Sequence, residues 1–263
     1  MKIAFCGDSF CSDIFNFALH RWDTTIAELI NPVFNPKHPV PFEPYPYIVA
    51  QEFGAEILCS GQSGGTLYNS YEVLMKYIQE ADYIVYCITE SARLNNKYRL
   101  PISASNINAT DYHATEGNEL YQLALWNKVI DFNMTKHEEK ELKVAAEYFY
   151  RMIYFSDWAK TIQRALLREI DTVIKEYKKK CIFFRGFSQS FCDYTPENVV
   201  WGNLALYDDI TKRQDQINPK KDDEWRPNHF TEQNNRNMAN FIIDVIKKDD
   251  FTPRELDMKE YFK

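Results

Sequence analysis

Asp82-Tyr83-Ile84-Val85-Tyr86-Cys87-Ile88 is the stretch that decides the fold. After Asp82 every residue is apolar or aromatic, with no polar residue alternating between them. That is the pattern of a strand buried on both faces, and such strands belong to parallel sheets covered by helices on each side. The flanks agree. Upstream, Leu67, Tyr71, Leu74 and Ile78 recur at helical spacing behind a glycine turn, and residues 55–59 form a second apolar run. Further back, residues 2–6 read as a first strand that ends in Gly7-Asp8-Ser9. Pro46 suits the first turn of a short helix reaching Phe53. Residues 14–30 are helical in part, and the proline-dense segment 32–46 is a rigid surface connection.

Downstream, residues 94–137 are polar and mixed and read as an insertion, with a short helix at 119–131. Residues 138–177 are strongly helical, with Ser156 as a break and Ile162, Leu166, Ile170 and Val173 on one inward face. Residues 181–185 and 198–201 read as two more strands. A last helix over 232–247 has Thr231 as its N-cap and turns Met238, Phe241, Ile242 and Val245 inward. Strands and helices alternating in this way predict an α/β protein, a three-layer α/β/α sandwich with a central parallel sheet of about five strands. The length of 263 residues fits a single domain spanning 1–263 that carries the 94–137 insertion.

Composition narrows the function. With 17 Tyr, 18 Phe and 5 Trp the chain is core-rich, which excludes a disordered protein. A net charge of −7 and a pI near 5.4 argue against a nucleic-acid partner. No apolar run is long enough to span a bilayer, so no membrane partner is expected. Met1–Cys11 turns polar too early for a signal peptide, which predicts a cytoplasmic location. The six cysteines form no CxxC pair and the five histidines are scattered, so the expectation is reduced, packed thiols, no metal and no cofactor.

The glycines are the sharpest clue. Gly7, Gly61, Gly64 and Gly65 make up half of the eight in the chain and fall in two short stretches behind strands. In a parallel sheet, ligands sit outside the carboxyl ends of the strands, so Ser9, Gly64 and Thr89 come to one edge. On its own, Ser9 reads as readily as a helix cap as a nucleophile. The turn Gly61-Gln62-Ser63-Gly64-Gly65-Thr66 exposes backbone N–H groups that can hold an oxyanion, and it lacks the Gly-Lys-Ser/Thr end of a phosphate-binding loop. His229 sits just ahead of the final helix, behind three acids, Asp222, Asp223 and Glu224. Those acids can orient an imidazole and stabilise its charged form.

Together these motifs resemble the SGNH (GDSL-type) hydrolase family. The resemblance touches residues 2–10, 55–67, 82–93 and 222–245. It implies Ser9 as the nucleophile, His229 as the general base, and an oxyanion hole made by Ser9, Gly64 and a third-block donor. The third block departs from the family pattern, reading Thr89-Glu90-Ser91-Ala92-Arg93 where that pattern has an asparagine. Thr89 is the substitute donor, with Asn95 or Asn96 further along. The fourth block has Arg226 where the family has its aspartate, so the orienting acid is expected to be Glu224, with Asp223 as competitor and a Ser-His pair without an acid as the remaining alternative. The Arg-x-Asn-His-Phe and Thr-Glu-x-x-Arg arrangements are similar to those of SGNH-type proteins of tailed bacteriophages. The implied function is hydrolysis of a small acyl ester, with an acylated carbohydrate among the substrates of the family. The alternative is a non-catalytic binding or structural module, such as a virion component, that assembles as an oligomer.

Overall fold

The computed structural model describes residues 1–8, 11, 44–61, 65–89, 93–95, 136–185, 193–203 and 232–262. The described elements, in chain order, are β1 (Lys2–Cys6), α1 (Tyr45–Phe53), β2 (Glu56–Cys59), α2 (Leu67–Tyr77) and β3 (Tyr83–Ile88). They continue with α3 (Lys136–Tyr148), a π-helical turn (Phe149–Ile153), α4 (Ser156–Glu176), β4 (Lys180–Arg185), β5 (Val200–Asn203), α5 (Glu232–Lys248) and β6 (Arg254–Leu256). The six strands form one sheet in the order β2-β1-β3-β4-β5-β6, and every neighbouring pair is parallel.

The period-2 geometry of a strand divides the core into two layers. Ile3, Phe5, Val85, Cys87, Ile182 and Phe184 face one side, where they pack with Tyr45 and Val49 of α1 and Met238, Phe241 and Ile242 of α5. Ala4, Cys6, Ile84, Tyr86, Ile88 and Phe183 face the other, under Leu67 and Leu74 of α2 and Leu167, Ile170 and Ile174 of α4. This is the three-layer α/β/α sandwich. Residues 84–88 are all buried, as a strand covered on both faces requires.

Three expectations need correction. The sheet has six strands, because the three-residue β6 adds to the far edge beside β5. The last strand read from sequence, 198–201, lies at Val200–Asn203. On α4 Ile170 and Val173 are buried as read and Leu166 is partly buried, with Ala159, Gln163, Leu167, Asp171 and Ile174 buried too, whereas Ile162 is exposed. The break at Ser156 is present and is preceded by the π-helical turn. Of the 94–137 segment only 94–95 and 136–137 are described, the latter as the start of α3; the helices expected at 14–30 and 119–131, the Thr231 cap and Cys192 lie outside the described residues.

The strand order fixes where a site belongs. From β1 the chain steps to β2 on one side, and β3 then lies on the other side of β1, so the topological switch falls between β1 and β3. In doubly wound sheets, ligands bind at such a point, outside the carboxyl ends of the strands. β5 and β6 are joined through α5 on the α1 face, the opposite hand to the β3–α4–β4 unit, which is rare among parallel connections. α5 is held there by its apolar stripe, for Met238, Phe241, Ile242 and Val245 are all buried. No described helix is long and apolar enough to cross a membrane.

Candidate functional site at the carboxyl edge of β1 and β3

Gly7 and Asp8 leave the end of β1 at the switch point. Gly7 has φ +155°, and a Cβ there would stand 2.7 Å from Cβ of Cys87 on β3, so only glycine fits. The Cys11 N–H donates to the Asp8 carbonyl at 3.0 Å, a bond that closes a turn between Asp8 and Cys11. The Gly61 N–H then donates to the Cys11 carbonyl at 2.9 Å, which docks the segment after β2 onto that turn. A Cβ on Gly61 would lie 2.1 Å from the Asp8 carbonyl oxygen, so this close approach also demands glycine. Behind the turn, the Tyr45 hydroxyl donates to Cys11 Sγ at 2.8 Å. Burial holds the Tyr45 hydroxyl well above its usual range, which keeps it a donor.

The segment after β2 opens α2 through a capping box. The Asn69 N–H donates to Thr66 Oγ1 at 3.1 Å, and the Thr66 N–H donates to Asn69 Oδ1 at 3.1 Å. Asn95 from the third segment stands 3.4 Å from Thr66 Oγ1 through its Oδ1.

The third segment brings Thr89 and Arg93. Thr89 is fully buried, and its carbonyl accepts from Gln163 Nε2 on α4 at 2.8 Å. Its hydroxyl has no hydrogen-bond partner among the described residues. Arg93 reaches back across β1. Its Nη2 lies 3.0 Å from Oδ2 of the fully buried Asp8, an ion pair without the alignment of a hydrogen bond. Its Nη1 donates to the Gly65 carbonyl at 2.8 Å. A buried carboxylate is tolerated only when paired, and Arg93 supplies the pair.

Away from that edge, the segment before β5 is tied by Asp171 of α4 and by Arg185 of β4. Asp171, buried on α4, accepts from the Tyr194 hydroxyl at 2.6 Å and from the N–H groups of Glu197 and Asn198 at 2.8 and 3.1 Å. Arg185 at the end of β4 donates to the Tyr194 carbonyl and lies over the Trp201 ring at 5.2 Å. Together they order the segment that leads into β5.

Of the residues singled out from sequence, Thr89 and Asn95 are described, and both come to this edge. Ser9, Gly64, Asn96, Asp223, Glu224, Arg226 and His229 lie outside the described residues. His137 is on α3 with its Nε2 3.3 Å from Glu141 Oε1. Cys6, Cys11, Cys87 and Cys181 are buried free thiols, and Cys59 is a partly buried one. The Cys6 thiol is held well above its usual range by its bond to Cys59 and by burial, and the Cys87 thiol chiefly by burial; both are neutral packing groups. Among the described residues no three His, Cys, Asp or Glu side chains are grouped to hold a metal ion.

Sequence reading missed the pairing of Asp8 with Arg93 and the part of Gln163. The first two stood within motifs already noted, Gly7-Asp8-Ser9 and Thr89-x-x-x-Arg93, but neither motif announces the other as its target. Gln163 gave no signal beyond its place on a helix. No family model and no curated protein matches this chain.

Proposed function

We propose that the protein is a serine-dependent hydrolase of small acyl esters, with an acetyl or similar group on a carbohydrate as the substrate class. Ser9 attacks the ester carbonyl, and His229 takes its proton and later returns it to the leaving alcohol. Glu224 accepts the far N–H of the imidazole and stabilises the imidazolium that forms. The Ser9 and Gly64 N–H groups and the Thr89 hydroxyl donate to the oxyanion as the tetrahedral intermediate develops. No cofactor takes part in these steps.

The observation that carries this reading is the Thr89 hydroxyl, buried at the β1–β3 switch point one strand away from Asp8 and without a partner among the described residues. A buried donor without an acceptor is costly and marks a place where an acceptor arrives with a ligand. Asp8 immediately precedes Ser9 in the chain, so the nucleophile and the donor share an edge in this reading. Labelling with a fluorophosphonate probe tests it. The wild type should label and Ser9→Ala should not; labelling that survives the substitution removes Ser9 as nucleophile.

A second reading is a non-catalytic binding or structural module, such as a component of a virion. The Asp8–Arg93 ion pair favours it, because Arg93 brings a bulky cation into the block where the resembling family has asparagine. A wild type inert to the probe and to simple esters would favour the module.

A further inference from the structure

We propose that Arg93 is a positioning residue that sets the spacing of three backbone segments, those leaving β1, β2 and β3, with a single guanidinium. Its Nη2 pairs with Asp8 on the first segment at 3.0 Å. Its Nη1 donates to the Gly65 carbonyl on the second at 2.8 Å. Arg93 itself belongs to the third, a few residues beyond Thr89. The side chain is only 12% exposed, so both contacts are shielded from competing water. Each anchor is a chain neighbour of a proposed donor: Asp8 precedes Ser9, and Gly65 follows Gly64. One planar guanidinium aims an N–H at the Gly65 carbonyl and sets its charge against the Asp8 carboxylate, so a single rigid group ties both segments. Lysine keeps the charge but is a point donor on a flexible stem and lacks the rigid fork that serves the ion pair and the carbonyl bond at once.

The effect on turnover rests on the proposed role of Ser9, whereas the tethering of the segments does not, and the experiment reads the two separately. Hydrogen exchange is followed at residues 7–11 and 61–66 in the wild type, in Arg93→Lys and in the double variant Asp8→Asn/Arg93→Met. The double variant removes both charges together and leaves no unpaired buried ion, so it keeps the test alive where the single variant does not fold. In parallel, kcat and KM are measured on p-nitrophenyl acetate. Both segments should exchange faster together in each folded variant. Turnover should fall by about 10²-fold with KM little changed, as expected when donors drift by roughly an ångström and the loss is confined to the transition state. Unchanged exchange at residues 61–66 overturns the proposal, whatever the activity does. Faster exchange with kcat intact overturns it too, leaving Arg93 a contact of the fold alone. A wild type that hydrolyses no ester and resists the probe sinks the reading of Ser9, and exchange by itself then decides for or against the tether.

Discussion

Arg93 stands 3.0 Å from Asp8 across the β1–β3 pair, with the carboxylate wholly buried and the guanidinium nearly so. The two charges meet at the switch point of the sheet, the place where doubly wound sheets bind ligands. Buried charge at such a point is expensive unless it is paired, and the pairing here also joins segments that follow different strands.

The first prediction concerns that pair. Arg93→Met removes the cation beside a buried carboxylate and should lower stability by about 3–5 kcal/mol. Asp8→Asn on the same background should recover a large part of the loss, since the buried charge goes with it. Urea unfolding of the two single variants and the double variant gives the coupling. Strictly additive losses would show that the pair contributes nothing beyond its parts.

Gly61 tests the docking of the second segment on the first. A methyl group there meets the Asp8 carbonyl oxygen at 2.1 Å and Cys11 Cβ at 2.7 Å, so backbone must move. Gly61→Ala should cost about 2–3 kcal/mol. Gly54, the left-handed C-cap of α1 at φ 57°, has nothing within 4 Å of the same methyl position. Gly54→Ala should therefore cost only about 1 kcal/mol, from backbone conformation alone. Equal losses in thermal unfolding would contradict the close approach at Gly61.

Much of this architecture was legible because strands buried on both faces leave unbroken apolar runs, as at residues 83–88. β6 was not legible. Three residues with Arg254 and Glu255 exposed, just after Pro253, carry no hydrophobic pattern, and parallel pairing with β5 alone makes them a strand. On α4 only Ile162 was misplaced, for Ile170 and Val173 are buried and Leu166 is partly so. Ile162 looks like a core residue by type, yet the helix turns Gln163 inward because its amide satisfies the Thr89 carbonyl. Thr89 itself was found from its place behind a strand. The Asp8–Arg93 pair joins residues far apart in the chain, and no local spacing encodes it.

A pH dependence follows from Tyr261, whose hydroxyl donates to Asp244 Oδ2 at 2.6 Å. Burial and that bond push its pKa up to about 12, against about 10 when unfolded. The folded state thus holds this proton more tightly than the unfolded one. The resulting stability is fully present below about pH 10 and is lost as pH rises through about 12. Tyr261→Phe has no such proton to lose. Wild type should unfold at higher urea than Tyr261→Phe at neutral pH, and the gap should narrow between about pH 10 and 12. A gap that stays constant over that window rules out the raised pKa as its source.

Thr89→Val separates catalysis from architecture at the candidate site. Valine is nearly the shape of threonine, so the exchange removes the hydroxyl and little else. That hydroxyl is buried and has no partner among the described residues. A donor or acceptor stranded in this way usually costs the fold about 1–3 kcal/mol, so losing it should leave stability unchanged or raise it. The Gln163 bond goes to the Thr89 carbonyl, which the substitution does not touch, and the end of β3 should hold its place. If the hydroxyl donates to an oxyanion, its loss should lower kcat by about 10²–10³-fold. Stability and turnover would then move in opposite or unrelated directions, a pattern that general damage to the fold does not produce. Measuring the urea midpoint and kcat on p-nitrophenyl acetate for the same preparation reads both. Unchanged kcat with unchanged stability would remove Thr89 from the oxyanion hole and pass that part to Asn95 or Asn96. A fall in both together would mean that the hydroxyl supports the fold at a contact yet to be found.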